Sequence, residues 1–452
     1  MAAAAQDRNF KNHAKTQAEE DAYDYAKERT GMIQTSFAGS CAHIIKGALG
    51  GGILSGPVAY QKAGVAVAVP LNIMFGTFMC YGLYLLVRSK KILMRRTRRN
   101  HLSYADCGEA SLMLFPKKGL ARFSKVFRFI IDATVCMDMF GACCTYQIVV
   151  AKSLKQLVEN TPTTTIAGAP GYPSLRIYLL IMLPMFCLIC LIRHLKYLAP
   201  FSHAANGVVA SSIMMTIYYC FQYNPRFEGL VLTTNFEGTF QFIGMSVFAM
   251  SCSGVVVAIE GNMKDPTKFT RCLLIGHFSI ILCTTATSFF GYAAFLDKAE
   301  APFTINFPMT TLPIMFKAGI CTMLYITHGL NFWVPFNLCW YYIKSRLNQN
   351  KLIFWERIFR VLFVTMIGTV GIIFPSITAL MGLIGCLCLA NMAIIFPNII
   401  TLFVEYERPG YGALKWRIWR SVFFISVGFI VLTSGTAVNL KSLVKVLFEP
   451  HE

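Results

Sequence analysis

The stretch from His43 to Pro57, HIIKGALGGGILSGP, sets an imidazole and an ammonium beside glycines at 47, 50, 51, 52 and 56, within a run that is otherwise apolar. Glycine tolerates dihedrals that other residues avoid and lets a ligand reach bare backbone. Where a helix is interrupted, its freed N–H groups attract an anion and its freed carbonyls attract a cation. A zwitterion carries both charges. In hydrocarbon such a break is tolerated only where it is buried in protein or lines a wet cavity. A second interruption follows at Ser251-Cys252-Ser253-Gly254, within FAMSCSGVVVAIEGNMKDP. Gly47, Ala48, Leu49, Gly50, Gly51 and Gly52, facing Ser251, Cys252, Ser253 and Gly254, form a candidate binding site for a small zwitterion. The other reading of the glycines is close helix packing, because Gly47/Gly51 and Gly52/Gly56 have the GxxxG spacing.

Ionisable groups at membrane depth are costly and default to functional candidates. Asp138, in IIDATVCMDMFGACC, sits well inside an apolar run, and Tyr146 lies two turns further along the same face. Asp138 reads as a proton carrier or as a hydrogen-bonded structural acid. Tyr146 reads as a substrate contact or as packing. His43 precedes Gly47 by one turn, and imidazole is the side chain most readily protonated near neutral pH. Lys46 adjoins the first break, and Glu260 lies six residues past Gly254. Glu260 is expected to pair with Lys46 or His43 as a proton relay or gate, or else to cap a helix end at the interface. His277, His328 and Asn331 are expected to be structural. The chain shows no nucleophile–base set and no phosphate loop. The pairs Cys187/Cys190 and Cys386/Cys388 lack a second half at metal-site spacing. Neither an enzyme nor a metal or other cofactor is therefore expected.

The elements that must hold these residues are legible in the apolar runs. Of 452 residues, 55% are hydrophobic and only 14% charged, against about a quarter charged in soluble proteins. A helix needs about 20 apolar residues to cross a bilayer. Eleven such runs are expected to span, at about 33–60, 65–87, 125–150, 174–192, 199–221, 236–260, 271–296, 310–343, 352–375, 378–404 and 417–440. The spans of a β-barrel would be half as long and alternate in polarity. The fold class is thus an all-α polytopic membrane protein, a single transmembrane domain over 33–452 after a flexible cytoplasmic tail over 1–32. The two breaks fall in helices 1 and 6, five spans apart, so those helices run in opposite directions, as a five-plus-five inverted repeat would make them.

The net charge of +19 is a topology signal and not a nucleic-acid footprint, since 31 of the 41 Lys and Arg fall in the tail and in alternate loops. Those loops are read as cytoplasmic, which puts the N-terminus inside and the C-terminus outside or in a lumen. The largest, 88–124, also suits anionic lipid. Within it Ser103 and Asp106 have the spacing of a capping box, predicting a short interfacial helix. Fifteen of the sixteen cysteines lie in or beside spans and read as small packing residues.

HIIKGALGGGILSGPVAYQKAG resembles the first-helix motif of the proton-coupled amino acid transporters, in the amino acid/auxin permease group. The likeness continues in MFGACCTYQIVVAKSLKQLVE (139–159), IRHLKYLAPFSHAAN (192–206), GVVVAIEGNMKDP, GYAAF (291–295), TINFP (304–308) and LIGCLCLANMAIIFPNII (383–400), covering about residues 35–440. The resemblance implies an eleven-helix, broken-helix inverted repeat. It also implies symport of protons with small neutral amino acids such as glycine, alanine or proline, bound between the breaks, with His43 in proton coupling. The chain departs from the motif at Ala48, where the family has Asn, at Gly50-Gly51-Gly52, where it has Gly-Thr-Gly, and at Ser251, where it has a carboxylate. Asp138 is a candidate replacement for that acid. The other functions open to such a chain are an amino acid sensor with little flux and a transporter coupled to another ion or to exchange. Its partners are then the amino acid, the proton and the lipid bilayer, at the plasma membrane or a lysosomal or endosomal one.

Overall fold

A computed structural model describes residues 19, 22–25, 34–116, 118–160, 173–192, 199–223 and 225–448. The expected flexible tail lies outside these residues except for Glu19 and 22–25. Of those, Tyr25 is buried under the Arg95 guanidinium, and Glu19 pairs with Arg98.

The described residues are helical without strands, with a single bridge between Thr35 and Met263. The first apolar run is a bent pair, α1 (Phe37–Ala48) and α2 (Gly56–Ala63) joined by a 3-10 turn (Gly51–Ser55), with 41° between the halves. Next come α3 (Val65–Thr97), α4 (Tyr104–Met113), α5 (Ser124–Glu159), α6 (Leu175–Cys190) and α7 (Ala199–Gln222). The second interrupted run is α8 (Phe236–Met250) and α9 (Ser253–Asn262). Then follow α10 (Phe269–Phe295), α11 (Thr311–Ile343), α12 (Leu352–Ile373), α13 (Ile377–Ile384), α14 (Phe396–Val404), α15 (Trp416–Ile430) and α16 (Thr436–Phe448). Among the described residues five units are long and apolar enough to cross a membrane: Val65–Thr97, Phe236–Asn262, Pro266–Lys298, Ile377–Val404 and Ala413–Val446. The bent pair makes a sixth.

Local chemistry sets the boundaries. The Ser36 and Asn235 side chains accept from the Gly39 and Gly238 amides at 3.1 and 2.8 Å, filling orphan donors at the starts of α1 and α8. The chain turns from α2 into α3 at Gly64, whose φ of 80° a side chain would resist and whose Cβ would stand 2.6 Å from the Leu232 carbonyl oxygen. The predicted capping box at Ser103 and Asp106 is present. Its helix, α4, does not lie free at an interface: it packs on α5 with Cys107 and Ala110 fully buried.

The α8–α9 unit and the α13–α14 unit form the centre and are largely buried, whereas α15–α16 at the periphery is mostly exposed. In lipid the gain comes from close packing, so small residues mark the tightest contacts. A Cβ on Gly385 would stand 1.9 Å from the Gly244 carbonyl oxygen. All sixteen cysteines are free thiols.

The two interrupted units clasp each other at both ends. Thr35, entering α1, exchanges backbone bonds with Asn262 and Lys264, leaving α9. Val65 and Ala66, which open α3 just past the end of α2, donate at 3.0 Å to Val231 and Leu232, which lead into α8. Each unit's entry is thus tied to the other's exit, as antiparallel crossing requires.

Candidate functional site

The first break is narrower than the glycine run. At the end of α1, Leu49 adopts φ −75°, ψ 53°, and the Gly50 amide donates to the Ala48 carbonyl at 2.7 Å, a tight inverse γ-turn. Gly47 and Ala48 remain helical, and Gly51 and Gly52 open the 3-10 turn. The first amides of that turn have no partner within it. The second break is narrower still. Ser251 is extended at φ −80°, ψ 128°, Cys252 turns, and α9 starts at Ser253, so Ser253 and Gly254 already lie in its first turn. Ser251 Oγ stands 2.8 Å from Ser253 Oγ and accepts from the Ser253 amide at 3.4 Å. A short hydroxyl side chain is suited to such local competition with the helix.

The breaks touch. A Cβ on Gly47 would stand 2.8 Å from Val255 Cγ2, and one on Gly52 only 2.7 Å from Ala249 Cα. The positive ends of the 3-10 turn and of α9 and the negative ends of α1 and α8 therefore meet in one small volume. Two side chains of α5 border it. The Tyr146 ring would lie 3.1 Å from a Cβ on Gly51, its hydroxyl 3.5 Å from one on Gly50, and that hydroxyl accepts from Asn331 Nδ2 at 3.4 Å. Asp138 is buried, with Oδ2 3.9 Å from the Cβ position of Gly254. The structure thus gathers Gly50–Gly52, Ser251–Gly254, Tyr146 and Asp138.

His43 and Lys46 occupy α1 itself, half-buried, with Lys46 in its last turn, where a cation suits the helix dipole. Glu260 has a partner that the sequence did not suggest. It is fully buried, and the cation 2.6 Å from its Oε2 is Lys90 Nζ of α3, which also donates to the Val257 carbonyl at 2.9 Å. Sequence reasoning missed Lys90, because a lysine at the end of an apolar run reads as a topology charge. The His101 ring lies alongside, 3.6 Å from the Cβ position of Gly261.

Asn331 and His277, both expected to be structural, also adjoin the breaks. His277 stands 3.9 Å from Cys252 Sγ through Nδ1, and its buried Nε2 has no hydrogen-bond partner. His328 is a satisfied core histidine, bonded to Gln147 at 3.1 Å and set against the Phe186 ring. Beyond the break, between α2, α3, α8 and α10, lies a small, mostly apolar cavity of about 10 Å³, about the size of one water, walled by Ile53, Phe242 and Met245 and bordered by the hydroxyls of Ser55, Thr284 and Ser288 and by Asn72. Asn72 spans it, accepting from Ser246 at 2.5 Å and donating to Thr285 at 2.9 Å.

The chain is similar to known proteins in sequence. The family described as transmembrane amino acid transporter protein matches residues 34–440. The chain is 31% identical to the proton-coupled amino acid transporter-like protein pathetic of Drosophila melanogaster, over 89% of this chain and 84% of that one. It is 21% identical to the probable amino acid transporter skat-1 of Caenorhabditis elegans, over 88% of each. Among solved structures it is similar to a nucleobase–cation symport family transporter in a closed conformation with bromovinylhydantoin bound, at 12% identity and TM-score 0.49, over 93% of this chain and 92% of that one. A manganese transporter of Eremococcus coleocola aligns at 12% identity and TM-score 0.47, over 90% of this chain and 86% of that one. With its apolar helices and interrupted pairs accounted for, the chain belongs to the transmembrane amino acid transporter family.

Proposed function

We propose that the protein is a proton-coupled symporter of small neutral amino acids, working by alternating access through eleven spans, N-terminus cytoplasmic and C-terminus outside or lumenal. The observation that carries this reading is the contact between the two breaks, with Tyr146 against the first and Asp138 against the second. The substrate carboxylate takes the amides of Gly51 and Gly52, and its ammonium faces the carbonyl end of α8 and the Tyr146 hydroxyl. The approach of Gly52 to Ala249 leaves space for a small side chain only. The entry-to-exit clasps support the inverted five-plus-five arrangement.

In this reading Asp138 carries the proton. A carboxylate buried against a helix break is costly when ionised, and protonation removes that cost as the site closes. His43 and Lys46 line the inner half of the path, and the Glu260–Lys90 pair fastens its inner end. A neutral zwitterion with one proton moves one positive charge inward. A potential of 100 mV supplies about 2.3 kcal/mol for that charge, about fifty-fold accumulation.

The test is uptake of labelled glycine, alanine and proline into proteoliposomes, with acid or neutral solution outside. Wild type is expected to show acid-stimulated, electrogenic uptake. Asp138→Asn is expected to abolish the acid stimulation while keeping exchange of substrate for substrate. Loss of stimulation in His43→Ala alone would move the proton to α1. Binding without accumulation would replace the symporter by a sensor.

A further inference from the structure

At the inner end of the bundle three arginines surround one acid. Glu405, just past α14, is 2% exposed by side chain. Around it stand Arg88 of α3 at 3.4 Å, Arg417 of α15 at 3.6 Å and Arg420 of α15 at 3.4 Å. All three distances exceed the roughly 2.7–2.9 Å of a charge-assisted hydrogen bond, and Glu405 Oε1 makes no hydrogen bond at all. One carboxylate thus balances only one of three guanidinium charges, and balances it loosely. The side chain of Arg420 is 9% exposed, and its Nε, like that of Arg417, is buried without a partner. Its remaining N–H groups hold Tyr81 and Ser421 at 3.3 Å. Arg417 bonds the Gly410 carbonyl at 2.8 Å. Nearby Arg96 is committed to the carbonyls of Val404 and Arg408.

The rim of this cluster is apolar and outward-facing. Trp416 is 50% exposed, Trp419 71% and Leu414 94%, with Arg417 and Arg420 stacked over the Trp416 ring. Tryptophan beside arginine is the composition of a membrane–water interface. Guanidinium groups match phosphate oxygens in pairs.

We propose that Arg88, Arg417 and Arg420 form a site for the phosphate of an anionic membrane lipid, with the acyl chains lying along Trp419 and α15. Basic pockets between helices on the cytoplasmic side are suited to such headgroups. The site ties α3 to the turn between α14 and α15, away from the two breaks. It makes the lipid a structural partner of the transporter.

The test uses the full chain, purified in detergent and titrated with short-chain phosphatidylinositol 4-phosphate, phosphatidylcholine or inorganic phosphate. Thermal melting and native mass spectrometry are the readouts. The anionic lipid is expected to raise the melting temperature and to stay bound in the mass spectrum. Arg417→Gln and Arg420→Gln are each expected to weaken it about fivefold, the effect of one basic contact at an anionic surface. Arg98→Gln, exposed and outside the cluster, is expected to change nothing. If Arg420→Gln cannot be purified, Arg417→Gln carries the comparison. Glu405→Gln is expected to bind the lipid more tightly, which a purely structural ion cluster would not do. Equal stabilisation by phosphatidylcholine, equal loss in Arg98→Gln, or full competition by inorganic phosphate would each overturn the proposal.

Discussion

The buried pair of Lys90 and Glu260 shows how a single residue decides a partner. Both side chains are fully buried and 2.6 Å apart, so each neutralises a charge that neither could carry there alone. Removing one partner takes this close counter-ion from a charge that stays buried. Lys90→Met or Glu260→Gln is expected to cost about 3–5 kcal/mol in unfolding free energy, and the double variant substantially less, because replacing a whole buried pair is often close to neutral. Thermal melting of the four proteins in one detergent checks this. A double variant no more stable than the worse single one would mean that the pair is not a closed unit. The same scale explains why Lys90 was not foreseen beside Glu260. From the sequence the nearest cations to its break were Lys46 and His43. Lys90 reaches Glu260 because α3 packs along α9.

At the scale of elements, the interrupted units were legible and their widths were not. Glycines and serines flag where a helix can break, since they weaken it or compete with it. Each break closes to two residues because neighbours restore the helix at once: a γ-turn at Leu49 and a serine bond at Ser251. The proposed alternating access requires α1 to move. Cys41 of α1 lies with its sulfur 3.1 Å from that of Cys272 in α10, both thiols buried. A short approach would bring them to bonding distance. Oxidation with copper phenanthroline is expected to cut uptake several-fold and reductant to restore it, while Cys272→Ser stays insensitive. Unchanged uptake by fully crosslinked protein would mean that α1 and α10 move as one body.

At the scale of the whole molecule, α4 staples the basic loop onto α5. Burial alone would push the Asp106 carboxyl up, but the Arg128 charge and the Ser103 bonds outweigh it and hold the group below its ordinary value near 3.9. A depressed carboxyl contributes stability that is complete above its unfolded value and lost as pH falls through the folded one. The melting temperature is therefore expected to hold from pH 7 to about 5 and to drop below about pH 4. Asp106→Asn would start lower at neutral pH and lose less on acidification. An equal acid-induced drop in both proteins would place the sensitivity elsewhere, in the other partners of Arg128, Glu109 and Asp132. This staple also separates acid stability from the proton coupling proposed at Asp138, since only the latter would appear as a change in uptake current.

The sequence by itself determined the helical membrane class, the position of both interruptions, the cap at Ser103 and the placing of Asp138 and Tyr146 on one face of the third apolar run. These follow from local rules, because an apolar run must satisfy its own backbone in lipid and a glycine or serine cluster is where it can fail to. Tertiary structure alone decided that Gly52 meets Ala249, that Asp138 faces Gly254, that Lys90 neutralises Glu260, and that three arginines converge on Glu405. Each of these joins residues far apart in the chain. Which face of one helix meets which face of another is set by close packing of small residues, and sequence spacing along a single helix carries no record of its neighbour.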